Sequence, residues 1–208
     1  MPPTVTLEAL DGDIATFALA GSLHQTALEL KGIYNAYNAA AALALVRVIL
    51  DGAVPDGELI SQLAHVRSAF GRGESFVVDG RPLELLLVKN PGGFRLALES
   101  FNPQGVDTLI AINDEYADGR DMSWLFDVDF SGLAQGGVAM VSGTRAWDMA
   151  LRLSYDEVAF AAVDTNLEHA LDELIRNSAR PLRLYCTYTA MLRCRKHLSG
   201  YTAVSRVE

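Results

Sequence analysis

The first thirty residues carry short apolar runs broken by turn residues. Asp11-Gly12-Asp13 and Gly21-Ser22 separate Val5 to Leu10, Ala15 to Ala20 and Gln25 to Leu30, which predicts three short strands. From Tyr34 to about Leu50 the chain is alanine-rich and apolar nearly all round, which predicts a buried helix. Asp51-Gly52 ends it, and Pro55 and Asp56 open another, in which Leu59, Leu63, Val66 and Phe70 recur at helical spacing. Gly71-Arg72-Gly73-Glu74 then breaks the pattern and marks a domain boundary.

Beyond the break, Ser75 to Val78 and Pro82 to Val88 flank Asp79-Gly80, the signature of a hairpin. Nearly continuous hydrophobic runs follow at Val106 to Ile112, Gly137 to Val141, Val158 to Val163 and Leu182 to Cys186. They alternate with helical segments at Pro91 to Phe101, Thr144 to Tyr155, Asn166 to Ala179 and Thr189 to Leu198. Thr165-x-x-Glu168 has the form of a capping box, ahead of an apolar face of Leu167, Ala170, Leu171, Leu174 and Ile175. The fold class expected is α/β: a mostly parallel, Rossmann-like sheet with helices on both faces and an antiparallel edge strand from the hairpin.

With 208 residues, half of them hydrophobic, the chain is large enough to bury a core; it fits one full domain and part of another. A net charge of −9 argues against nucleic acid or an anionic membrane as the main partner. No apolar run reaches the ~20 residues that span a bilayer. Ala39 to Leu50 comes nearest and is interrupted by Arg47. Met1-Pro2-Pro3 does not open a signal peptide, so a reducing, cytoplasmic setting is expected. Cys186 and Cys194 have neither zinc-ribbon nor redox spacing and are expected as free thiols, with no metal bound.

In an open parallel sheet, ligands gather beyond the carboxyl ends of the strands. Two such ends stand out. Ser142-Gly143-Thr144-Arg145 enters a helix and could offer backbone N–H groups to an anion, or could be an ordinary helix start. Asn113-Asp114 runs into a loop holding Glu115, Asp118, Asp121, Asp127 and Asp129. That spacing is not a calcium loop, and a solvated, cap-rich turn explains most of it. Trp124 and Phe126 do not suit a wholly solvated turn; they point to an ordered loop that holds a carboxylate in a set orientation. His24, His65, His169 and His197 are scattered, and no G-x-x-x-x-G-K-[ST] phosphate loop is present.

Several strings resemble the Mur ligase family. Gly32-Ile33-Tyr34-Asn35-Ala36-Tyr37-Asn38-Ala39-Ala40 is similar to the late helix of its central ATPase domain, and Phe70-Gly71-Arg72-Gly73-Glu74 to the linker into its C-terminal domain. Lys89-Asn90-Pro91-Gly92-Gly93, Asp118 to Asp127, Ser142 to Ala150 and Thr187-Tyr188-Thr189-Ala190 resemble the MurT-like branch. By this resemblance residues 1–70 are the tail of a central domain, 71–74 a linker and 75–208 a C-terminal α/β domain.

The resemblance implies an ATP- and magnesium-dependent enzyme that amidates the D-glutamate of lipid II to D-isoglutamine, through an acyl phosphate and ammonia supplied by a GatD-like glutaminase. It implies that an aspartate of the C-terminal domain completes the partner's Cys-His pair, with Asp121 the first choice and Asp127 the second. It places Asn35, Asn38 and Arg72 near the nucleotide, with Asn113 and Asp114 at the cofactor edge. The family's phosphate loop and four-cysteine zinc ribbon are missing here, so this chain by itself is expected to be inactive. A folylpolyglutamate-like ligase fragment and a non-catalytic interaction module are the alternatives.

Overall fold

The computed structural model describes residues 5–29, 32–66 and 72–204. The chain divides into two compact units, residues 1–69 and 70–208.

In the first unit, β1 (Val5–Asp11), β2 (Ile14–Leu19) and β3 (Ser22–Ala27) form an antiparallel sheet in that order. Leu19 pairs with Ser22 around Ala20 and Gly21, both at positive φ, the backbone of a two-residue hairpin turn. Alternation along β2 sends Ala15, Phe17 and Leu19 to one face. There they meet α1 (Ile33–Leu50) and α2 (Asp56–Leu63) through Ala36, Ala39, Leu43, Ile60 and Leu63. Arg47 on α1 clasps Asp56 on α2 with its Nε and Nη2, at 2.7 and 3.2 Å.

The expectation of an all-round buried α1 is corrected. Only Asn35, Ala36, Ala39 and Leu43 are buried in it, while Leu45, Val46, Val48 and Ile49 are exposed. Composition told that the helix is apolar; it did not tell that the three-stranded sheet covers one side of it. By length and composition alone α1 would pass as a membrane span, at 18 residues and a mean hydropathy of 1.4, although it is seated on a sheet. The second helix was expected to run to Phe70; α2 ends at Leu63, and residues 67–70 lie outside those described.

In the second unit, β4 (Arg72–Val78) and β5 (Arg81–Leu87) form the expected hairpin, turning at Asp79 and Gly80, both at positive φ. The sheet continues through β6 (Asp107–Ala111), β7 (Val138–Ser142), β8 (Phe160–Asp164) and β9 (Leu182–Cys186), in the order β4-β5-β9-β6-β7-β8. Every pairing but β4 with β5 is parallel, so the sheet is the predicted one with a single antiparallel edge strand. Between strands run α3 (Pro91–Ser100), α4 (Ala146–Tyr155), α5 (Leu167–Asn177) and α6 (Tyr188–Leu198).

One sheet face, with Leu83, Leu85, Leu109, Ala111, Leu184 and Cys186, packs on α5 and α6. On the other, Tyr185 meets Phe94 of α3 with ring centroids 5.4 Å apart, and Phe94 meets Phe130 edge-on at 5.0 Å. Two of the expectations shift in detail. Residues 72–74, expected as linker, belong to β4, because buried Glu74 pairs with buried Arg195 of α6. The start of α5 is capped by Asn166, whose side chain accepts from the His169 N–H at 3.1 Å, not by Thr165; Glu168 instead holds Arg193 of α6.

Cys186 and Cys194 are free, wholly buried and 3.8 Å apart at sulfur. Burial pushes the Cys186 thiol up, which leaves it protonated and inert. Native protein at pH 8 is therefore expected to give no fast reaction with a disulfide reagent, and two thiols per chain after unfolding in guanidinium. A thiol that reacts rapidly in the native state would contradict this packing.

Candidate functional site at the carboxyl edge of the parallel sheet

The carboxyl ends of β6, β7 and β9 are tied together by one buried side chain. Asn113, just past β6, donates from its side-chain amide to Thr189 Oγ1 at 3.0 Å. Its side-chain oxygen accepts from Thr144 N at 3.0 Å, and its backbone N–H donates to Thr187 Oγ1 at 2.8 Å. One residue on, Asp114 accepts from the Thr144 hydroxyl at 2.9 Å and stands 3.9 Å from the Arg145 guanidinium.

Gly143 makes this closeness possible. Its φ is +94°, and a Cβ there would lie 2.7 Å from Asn113 Oδ1 and closer still to the carbonyl oxygen of Ile112. The turn does not form an open anion cradle, because Thr144 N is spent on Asn113 and Arg145 N on Ile112 O at 2.9 Å. Of the two readings open for it, the ordinary helix start holds.

The acidic loop is ordered. Asp118 is buried and clasps the first turn of α6, accepting from Thr189 N at 2.8 Å and Thr189 Oγ1 at 2.6 Å; it also accepts from Glu115 N at 3.1 Å. Of the loop's carboxylates this one has a structural role, which the sequence did not single out. Asp121 is exposed, and its Oδ1 accepts from Ser123 N at 2.8 Å. Hydrogen bonds from the Ser123 backbone and hydroxyl hold its carboxyl below the usual carboxylate range, so it stays anionic near neutral pH. A short 3₁₀ helix, Ser123–Asp127, follows. Trp124 is half-buried against Phe94, with centroids 6.5 Å apart, as its anchoring role requires. Asp127 is exposed, and its backbone oxygen accepts from Arg95 Nε at 3.0 Å.

Arg152 on α4 fixes the loop from beneath. Its Nε donates to Leu125 O at 3.2 Å, its Nη2 to Val128 O, and its Nη1 pairs with Asp156 at 2.7 Å. The guanidinium lies 5.4 Å from the Phe130 ring centroid, and Asp156 also accepts from Phe130 N at 2.7 Å. Sequence reasoning missed Arg152; the signal was an arginine on an apolar helix with an acid four residues later.

Asn113 and Asp114 are thus brought together with Thr144, and Asp121 and Asp127 share one loop. Asn113 is wholly buried, and its side chain ties the edge together through Thr189 and Thr144. Asn35 and Asn38 lie on α1 of the first unit, the former buried and the latter exposed, and Arg72 opens β4. His169 pairs with Asp164 at the end of β8, which raises its pKa and lowers that of the aspartate. His197 pairs with Asp172, which also accepts from Tyr201 at 2.7 Å.

Among the described residues no group of three or more His, Cys, Asp or Glu is placed to hold a metal. The first unit has a cavity of about 320 Å³ beside Arg47 and Asp56, and the second has one of about 310 Å³ between β8 and α5. At this edge Asp121 and Asp127 are exposed on the ordered loop.

An α/β unit of this kind is found in Mur-type ligases. The chain superposes on a pseudomurein peptide ligase type C from Methanothermus fervidus with a TM-score of 0.69 at 16% identity, covering 96% of this chain and 42% of that one. On MurF from Acinetobacter baumannii the TM-score is 0.70 at 15% identity, covering 95% and 45%. A folylpolyglutamate synthase from Thermotoga maritima gives 0.60 at 17%, covering 96% and 47%; at such identities the likeness is one of fold.

The family model for the MurT ligase C-terminal domain matches residues 87–191, and the chain belongs to that family. It is 32% identical over 186 residues to the lipid II isoglutaminyl synthase (glutamine-hydrolyzing) subunit MurT of Streptococcus pneumoniae, covering 86% of this chain and 41% of that protein. The subunit of the same name from Staphylococcus aureus is 33% identical over 136 residues, covering 63% and 30%. The chain thus spans well under half the length of these relatives.

Proposed function

We propose that the chain works as the C-terminal part of a MurT-like subunit of an ATP-dependent, glutamine-using amidotransferase, which converts the D-glutamate of lipid II to D-isoglutamine in the cytoplasm. The observation that carries this reading is the 32% identity over 86% of the chain to a subunit so named. The first unit is then the tail of a central ATPase domain.

The part of the reaction assigned to this chain is polar positioning. Asp121, anionic and standing on an ordered loop, accepts the N–H of the partner glutaminase's catalytic imidazole, fixing its tautomer and stabilising its charged form. Asp127 on the same loop is the second candidate. No phosphate-cradling sequence is present, so no step of nucleotide chemistry is routed through these residues. Asn35, Asn38 and Arg72 are assigned to the nucleotide side, where amide and guanidinium groups suit an adenine edge and a phosphate. Asn113 and Asp114, at the carboxyl edge of the second unit's sheet, are the other cofactor-side candidates.

Mass spectrometry of lipid II incubated with ATP, magnesium, glutamine, the full-length polypeptide and its glutaminase tests the reading. Amide formation on the glutamate that requires the polypeptide supports it. ATP turnover that extends a folate with glutamate and leaves lipid II unchanged would refute it.

A further inference from the structure

The 3₁₀ helix Ser123–Asp127 carries a candidate carboxylate at each end. Asp121 Oδ1 accepts from the N–H of its first residue, Ser123, at 2.8 Å, and Asp127 is its last residue. A helix of five residues that buries only Leu125 has little packing of its own to fix its direction. Its neighbours supply the direction. From α3, Phe94 meets Trp124, and Arg95 Nε donates to Asp127 O at 3.0 Å. From α4, Arg152 spends its nitrogens on Leu125 O, on Val128 O and on Asp156. Asp156 in turn accepts from Phe130 N at 2.7 Å, so this ion pair holds the backbone at Leu125, Val128 and Phe130. A buried guanidinium is a costly anchor where an apolar side chain could fill the same space. What it adds is direction. Its donors leave a rigid plane at set angles, so the carbonyls that it grips are fixed in orientation as well as in place.

We propose that Arg152 is a positioning residue of the amidation reaction: by orienting the 3₁₀ helix it sets where the loop's carboxylate meets the partner's imidazole. The inference rests on the function proposed above and deepens it. It holds for Asp121 and Asp127 alike, because both are mounted on the helix that Arg152 orients. Arg152 itself is buried and acts only through the carboxylate. A displacement of about 1 Å at a reacting group costs on the order of 10²-fold in rate, so a loosened helix lowers turnover without unfolding the domain. The effect is confined to one half of the reaction. Release of ammonia from glutamine needs the oriented carboxylate, whereas free ammonium bypasses it.

The test uses the full-length polypeptide with a saturating glutaminase subunit, lipid II, ATP and magnesium, and either glutamine or ammonium as nitrogen donor. Arg152→Lys keeps a charge for Asp156 but lacks the fork that reaches both carbonyls; Arg152→Met removes charge and fork together. Circular dichroism shows whether each folds, and Arg152→Lys carries the test if Arg152→Met does not. With glutamine, kcat is expected to fall about tenfold in Arg152→Lys and about 30-fold in Arg152→Met, while KM for glutamine, which the partner binds, changes less than about twofold. With ammonium each is expected to lose less than about threefold. The second readout combines Arg152→Lys with whichever of Asp121→Asn and Asp127→Asn impairs glutamine use. A residue that acts through the carboxylate adds nothing once that charge is gone, so the double variant is expected to match the aspartate variant within about twofold. Multiplied losses overturn the inference. So do equal losses with both donors, unchanged glutamine turnover, or loss of fold in both Arg152 variants, which would leave Arg152 a residue of stability alone. If an aspartate variant impairs glutamine use and the Arg152 variants do not, only the positioning role fails. If neither aspartate variant does, the loop's part in the proposed function fails, and the role of Arg152 with it.

Discussion

Replacement of Gly143 by alanine is expected to destabilise the second unit by about 3–5 kcal/mol. Two costs combine. A left-handed φ of +94° is unfavourable for alanine, by roughly 1–2 kcal/mol. The added Cβ also falls against Ile112 O and 2.7 Å from Asn113 Oδ1, so the strand end or the Asn113 amide must move. Moving the amide breaks its bonds to Thr144 and Thr189, and each buried polar group left unpaired costs about 1–3 kcal/mol. Against a typical total of about 5–15 kcal/mol this is a large fraction, visible as a fall in melting temperature of about 10 °C or more. Gly119→Ala is the control: its φ is +87°, but nothing lies within 4 Å of its Cβ position, so only the backbone cost of roughly 1–2 kcal/mol applies. Equal losses in the two variants would show that the crowding at Gly143 does not matter.

Asp121→Asn in the full-length complex is expected to lower glutamine-dependent amidation by about 10²-fold and ammonium-dependent amidation by less than about threefold. The substitution keeps the shape and the acceptor oxygen toward Ser123 but removes the charge that stabilises an imidazolium. Loss of the aspartate of a serine-protease triad in this way costs about 10⁴ in rate. A smaller figure is expected here because Asp121 is exposed, where a charge interaction is partly screened. Free ammonium bypasses the glutaminase histidine, so the split between nitrogen donors separates this role from a general loss of structure. Equal losses with both donors would assign the aspartate to folding. No loss with glutamine would move the role to Asp127, and a silent Asp127→Asn as well would end it for this loop.

Elements defined by local chemistry were legible from the sequence alone. The Asp79-Gly80 hairpin, the alternating strands and helices, and the apolar face of α5 follow from turn residues and periodicity, and all are present. What the sequence hid depends on partners far along the chain. Glu74 reads as linker until Arg195 is seen beside it, 121 positions later. Asp118 reads as one of many solvated acids until Thr189, 71 positions away, is found donating to it twice. The breadth of α1's apolar surface was readable, but not how much of it a three-stranded sheet would cover. At the site, the ordered loop with Trp124 as anchor was foreseen; the arginine that fixes its path was not.

Arg152 holds the loop by backbone oxygens, and every residue has one. Its grip on Leu125 and Val128 therefore makes no demand on an outward side chain between them such as that of Asp127. The course of the stretch from Leu125 to Val128 is set from helix α4, while its outward chemistry is open to change. Drift at these outward positions can re-tune which partner is recognised without rebuilding the scaffold. Asp118 and Trp124, which pin the loop through their own side chains, have no such freedom.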